Sequence, residues 1–89
     1  MNRINKYKII RKKSYYSDDE YYYRIIRKNI REYRKSQKLT QQDLADMTEL
    51  SREYISDIEN DKRNKHPSIA VIGRIAEALM VDIAKLFHK

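Results

Sequence analysis

Two short amphipathic segments, 41–48 and 52–60, stand with only about three residues between them, and this spacing constrains the chain more than any other feature. Isolated helices this short are marginal in water, so neighbours must hold both in place. In the first segment Thr40 is a good cap, and Leu44, Ala45 and Thr48 share one face. Ser51 caps the second. At about 100° per residue, Ile55 and Ile58 fall together on one side of it. Arg52, Glu53, Ser56, Asp57 and Asn60 fall within about 140° on the other, with Tyr54 and Glu59 on the borders. One side is narrow and apolar, and the other is dense in hydrogen-bonding groups.

The rest of the chain supplies the neighbours. Ser17 with Glu20 reads as a capping box, opening a helix that runs to about Gln37. Its stripe is Tyr22, Ile26, Ile30 and Tyr33, with Arg24, Arg27, Lys28, Arg31 and Lys35 largely off it. After a polar loop over 60–66, Pro67 and Ser68 open a fourth helix with Ile69, Ile72, Ile75, Ala76 and Leu79 inward. Gly73 in its middle costs about 1 kcal/mol relative to Ala and suggests close packing. Asp82 caps a last short helix that turns Ile83, Leu86 and Phe87 inward. One Gly and one Pro in 89 residues fit this all-α reading of five helices and exclude a turn-rich sandwich or barrel. The division is a basic, Tyr-rich arm over 1–16 and a helical domain over 17–89. Within the arm, residues 6–9 alternate polar and apolar, so it is read either as a loose arm or as a strand pairing across a dimer.

Charge is unevenly placed. The net charge is +7, yet residues 1–17 hold six cations and no anion, while 39–89 hold seven cations and nine anions. The long-range pull on a polyanion therefore comes from the first part, and the paired short helices must recognise by specific contacts. Arg52 can reach guanine O6 and N7 in a fork, and Glu53 can accept from a cytosine amino group. Gln41 and Ser51, each at a helix N-terminus, can aim side chain and backbone N–H groups at a phosphate. The basic arm can follow the minor groove or a phosphate strand. Tyr21, Tyr22 and Tyr23 read as partial core more readily than as a stacking surface for single strands. The chain has no Cys, hence no disulfide and no thiolate nucleophile. His66 and His88 lie far apart without an acid cluster, so no metal site is expected. No nucleophile–base pair suggests catalysis, no cofactor is expected, and no apolar run approaches a membrane span. The apolar stretch after the basic N-terminus is too short for a secretory signal.

Leu39-Thr40-Gln41-Gln42-Asp43-Leu44-Ala45, followed by Leu50-Ser51-Arg52-Glu53-Tyr54-Ile55-Ser56-Asp57-Ile58-Glu59-Asn60, resembles the Cro/C1-type (XRE family) helix-turn-helix of phage repressors and small bacterial regulators. Pro67-Ser68-Ile69, Ile75-Ala76-Glu77-Ala78-Leu79 and Leu86-Phe87 continue the likeness in order, so it covers about 26–87. The resemblance implies a five-helix, lambda-repressor-like DNA-binding domain, acting as a homodimer on a pseudo-palindromic operator. The phosphate-facing Gln falls on Gln41, beside Gln42. The base-reading positions fall on Arg52, Glu53, Ser56 and Asp57, with Tyr54 as a packing residue that touches backbone. Loop phosphate contacts fall near Asn60, Lys62 and Arg63, and a structural ion pair joins Arg34 to Glu59. Glu49, Asp61 and Met80 stand where the family commonly has Gly, which implies strained or reshaped turns, and the loop before Pro67 is about two residues longer. Asp57 would repel phosphate unless it meets a cytosine amino group or pairs with a neighbour such as Arg52.

The expected function is sequence-specific binding of double-stranded DNA by a transcriptional regulator, a repressor above all, with helix 52–60 in the major groove. The dimer surface is expected on the last two helices, around Val71, Met80 and Phe87. The setting implied is the cytoplasm of a bacterium or phage-infected cell, on the nucleoid, with no membrane partner. The run from Ser51 to Ser56 also resembles restriction-modification controller proteins. The alternative is a protein-interaction module, such as the antitoxin of a toxin–antitoxin pair, with the arm as binding element.

Overall fold

The structure is a computed structural model and describes residues 19–89. The arm over 1–16, with its strand at 6–9 and its proposed contacts to DNA or protein, lies outside the described residues, as does the Ser17 cap. Among the described residues the elements are all helical: α1 (Asp19–Ser36), α2 (Gln41–Thr48), α3 (Arg52–Glu59), α4 (Ile69–Ala78) and a closing 3₁₀ helix, Ile83–Phe87. The fifth helix is thus 3₁₀ rather than α. No helix among the described residues is long and apolar enough to cross a membrane.

Local chemistry sets the starts of these elements. Thr40 and Asp43 form a reciprocal capping box at α2, with bonds of 2.9 and 2.8 Å. Ser51 accepts from the Tyr54 N–H at 3.0 Å, Ser68 from Val71 at 3.2 Å and Asp82 from Ala84 at 2.9 Å.

Three of the helix ends repeat one device. Lys38, Glu49 and Met80 take positive φ of 60°, 59° and 59°. The residue after each, Leu39, Leu50 or Val81, donates its N–H back to the carbonyl of Arg34, Ala45 or Ala76 at 3.0–3.1 Å. This is the Schellman stop, which glycine usually serves. Leu39, Leu50 and Val81 then pack against the core, and that packing explains how left-handed backbone is tolerated without glycine. Two of the three turns expected from Glu49, Asp61 and Met80 are therefore strained as read. Asp61 is not among the positive-φ residues; Asn64, three residues on in the longer loop, holds that conformation instead, at φ 51°. Glu49→Gly is expected to stabilise the protein by up to about 1 kcal/mol in urea denaturation. Unchanged or lower stability would show that the turn stores no strain.

The core joins Ile26 and Ile30 of α1, Leu44 and Ala45 of α2, Ile55 and Ile58 of α3, Ile72, Ile75 and Ala76 of α4, and Leu79 and Leu86. α3 packs against α1 and α2, and the 3₁₀ helix against α1 and α4. Asn29 locks the C-terminal segment to α1, donating to the Leu86 and His88 carbonyls at 2.8 and 2.6 Å.

Four readings of facing need correction. Tyr22 is exposed, while Arg27, expected off the stripe, is 1 % exposed. The buried arc of α1 is rotated toward its arginine flank because that flank meets α3. Ile69 is 64 % exposed: it lies at the first helical position, and the covered stretch of the stripe begins at Ile72. Phe87 is 38 % exposed, so Leu86 alone anchors the 3₁₀ helix fully. Gly73 does not serve a tight contact, since an added Cβ would meet only Ile83 Cδ1, at 3.8 Å. Gly73→Ala should therefore raise stability by about 0.5–1 kcal/mol, read as an increase in Tm; a decrease would mean α4 cannot accept a methyl group there.

Candidate nucleic-acid interface

α3 is held from behind and open in front. Ile55 and Ile58 are fully buried, and they turn Arg52 and Glu53 into solvent, with Ser56 and Asp57 half-buried beside them. Tyr54 is half-buried and packs on the core edge, as read. Asn60 is the C-cap rather than a helical residue, and its side-chain oxygen accepts from the Lys62 N–H at 2.9 Å. The hydrogen-bonding face is therefore at the protein surface and not folded into its own interior.

At the start of α2, Thr40 takes up the N–H groups of Asp43 and Leu44, so the N–H groups of Gln41 and Gln42 are those left for a partner. Gln42 bonds Asp46 within its own helix at 2.8 Å. Gln41 donates through Nε2 to Glu59 Oε1 at 3.2 Å. One amide hydrogen of Gln41 is thus spent on orientation and the other remains for an acceptor.

Glu59 is the hub. It is 4 % exposed and receives Arg34 in a two-bond fork, Nε to Oε2 at 2.7 Å and Nη2 to Oε1 at 2.9 Å. The expected Arg34–Glu59 pair is thus present. Its hydrogen bonds hold the Arg34 guanidinium above its ordinary pKa, outweighing burial, which works the other way. The sequence did not announce two further arginines. Arg31 Nη1 donates to the Glu59 carbonyl at 2.7 Å, and Arg27 Nε to the Ile58 carbonyl at 3.1 Å. Arg27, Arg31 and Arg34 recur at intervals of four and three along α1; the first two cap carbonyls in the C-terminal turn of α3, and Arg34 holds the carboxylate of its last residue. Cations suit that end of a helix, both for its free carbonyls and for its dipole.

Asp57 pairs with Arg63 of the loop, at 3.6 Å, rather than with Arg52. Lys62, Arg63 and Lys65 are all exposed. Beneath them the loop is fastened to α1. His66 stacks on Tyr23 with ring centroids 4.2 Å apart, and Tyr23 donates its hydroxyl to the Pro67 carbonyl at 2.8 Å. The partial burial read for Tyr23 is explained by this contact. Glu20 accepts from Arg27 at 3.0 Å and from His66 at 2.9 Å. Burial pushes the Glu20 carboxyl up, but the bonds and charges of Arg27 and His66 outweigh it, and its pKa lies below the ordinary carboxylate value. A depressed carboxylate stabilises the fold above its unfolded pKa and ceases to do so as pH falls through its folded one. Glu20→Gln should therefore be less stable than the parent at pH 7, with the difference shrinking as pH falls below the ordinary carboxylate range, as read from urea midpoints. A difference that persists undiminished at pH 3 would remove the carboxylate charge as the cause.

Comparison with known proteins agrees with this architecture. Residues 30–86 match the helix-turn-helix family. The chain is 38% identical over 61 residues to the immunity repressor protein of Bacillus phage phi105, covering 68% of this chain and 41% of the repressor's length. It is 37% identical over 65 residues to the control protein C.SmaI of Serratia marcescens, covering 73% of this chain and 75% of that protein. Among solved structures, a hypothetical transcription factor, NHTF, from Neisseria superposes with a TM-score of 0.70 at 25% identity, over 80% of this chain and 79% of that one. The match over residues 30–86, these relatives and the two short helices α2 and α3 in succession show that the chain belongs to the Cro/C1-type helix-turn-helix family of DNA-binding transcriptional regulators.

Proposed function

We propose that this protein binds double-stranded DNA at a specific sequence by laying α3 in the major groove, and that it acts there as a repressor or a controller of transcription. The observation that carries the reading is the placement of Arg52, Glu53, Ser56 and Asp57 on the outward side of a helix whose other side is fully buried. Arg52 reads guanine, Glu53 or Asp57 accepts from a cytosine amino group, and Ser56 permits close approach. Gln41, with the first-turn N–H groups of α2 and of Ser51, Arg52 and Glu53, takes phosphates on either side. Lys62 and Arg63 extend those contacts along the backbone. The names of two relatives, an immunity repressor and a control protein, support a regulatory role.

The active form is a homodimer on a pseudo-palindromic operator, with two copies of α3 about 34 Å apart, one turn of DNA. Met80, 89 % exposed, and Phe87 belong to the pairing surface, with Val71 at its edge. Action on chromosomal or phage DNA places the protein in the cytoplasm. Selection from a random duplex library followed by sequencing tests the whole reading. The expected product is a two-fold symmetric site with half-sites about 10 base pairs apart; a library that is not enriched overturns it. Removal of residues 1–16, which carry six cations, should flatten the dependence of affinity on salt. An unchanged slope would remove the arm from DNA binding.

A further inference from the structure

Arg27 is the least expected residue of the interior. An arginine 1 % exposed is expensive to bury, and an apolar side chain of similar volume would fill the space at lower cost. Its bonds suggest what the charge does. Nε donates to the Ile58 carbonyl at 3.1 Å, in the last turn of α3, and Nη2 donates to the Lys65 carbonyl at 3.3 Å. One guanidinium therefore grips both ends of the loop that carries Lys62, Arg63 and Lys65. Nη1 meets Glu20 at 3.0 Å and Asp61, inside that loop, at 3.5 Å. Glu20 reaches on to His66, which closes the far end on Tyr23. Arg63 in turn leans back to Asp57 on the reading face.

We propose that Arg27, assisted by Glu20, is a positioning residue for phosphate binding. It fixes the loop from beneath so that Lys62 and Arg63 meet the sugar–phosphate backbone in register with α3. The inference rests on the duplex-binding reading and deepens it: the cations of the loop are preorganised from α1, and a planar fork is required because carbonyls at two ends of one loop must be held at once. A lysine in its place keeps the charge and loses the grip.

The test is a double-mutant cycle with a 30-base-pair duplex of mixed sequence, read as affinity against salt. Lys62→Ala combined with Arg63→Ala should weaken the parent's binding about tenfold and make the slope of log affinity against log salt shallower by about 1–2. In an Arg27→Lys background the same pair should cost less than about twofold, and Arg27→Lys alone should already show the shallower slope. If Arg27→Lys does not fold by circular dichroism, the cycle in Glu20→Gln decides, with the loop pair's penalty at least halved. Additive penalties and an unchanged slope, with only Tm lowered, would make Arg27 a structural residue and overturn the inference while leaving the function standing. A parent that binds neither this duplex nor one selected from a random library overturns the function, and the inference with it.

Discussion

Glu59→Ala is expected to lower stability by about 3–5 kcal/mol, because it leaves the Arg34 guanidinium charged, buried and without its fork. A small domain has only about 5–15 kcal/mol in all, so a large drop in Tm follows. The pair need not add net stability over apolar residues of like volume, since desolvation consumes much of the attraction. Arg34→Met together with Glu59→Leu should accordingly be more stable than Glu59→Ala alone. The double variant should still bind DNA less well than the parent, because Gln41 loses the carboxylate that orients it. Calorimetric melting of the three proteins checks the first part. A loss below about 1 kcal/mol for Glu59→Ala would mean that water reaches and satisfies Arg34.

Arg52→Ala should weaken binding to a selected duplex by about 1–3 kcal/mol, roughly 5- to 150-fold, and alter binding to a random duplex little. The difference arises because a bidentate contact to guanine exists only where guanine stands opposite the helix. Arg52 is exposed at the first position of α3, immediately after the Ser51 cap, so its removal leaves no cavity and spares Ile55 and Ile58. Fluorescence anisotropy on both duplexes decides. Equal losses on the two would make Arg52 a phosphate contact.

Much of this was legible in the sequence where one residue type has one physical use. The caps Thr40, Ser51, Ser68 and Asp82 marked helix starts that the backbone bears out, and Ile55 and Ile58 marked which way α3 must face. The Arg34–Glu59 pair followed from family resemblance. What escaped were residues with two plausible uses. Arg27 and Arg31 read only as lying off the apolar stripe of a charged helix, because net charge does not tell a surface cation from one that ends another helix. Their spacing with Arg34 was visible, and so was the choice of Arg rather than Lys on that line, with Lys28 and Lys35 turned to solvent. That choice is the signal, since only a planar fork can join two carbonyls or grip a carboxylate twice. Asp57 escaped for a similar reason: its partner comes from the loop, whose path depends on Asn64 taking the left-handed turn expected at Asp61.

The central claim is that the outward side of α3 is what meets the duplex. Titrating isotopically labelled protein with a selected duplex and following amide and side-chain resonances tests it directly. The largest shifts should fall on residues 51–57, on Gln41 and Gln42, and on Lys62 and Arg63, with α4 and the 3₁₀ helix little disturbed. Shifts concentrated on α4 and the 3₁₀ helix, with Arg52, Glu53 and Ser56 unmoved, would contradict the account.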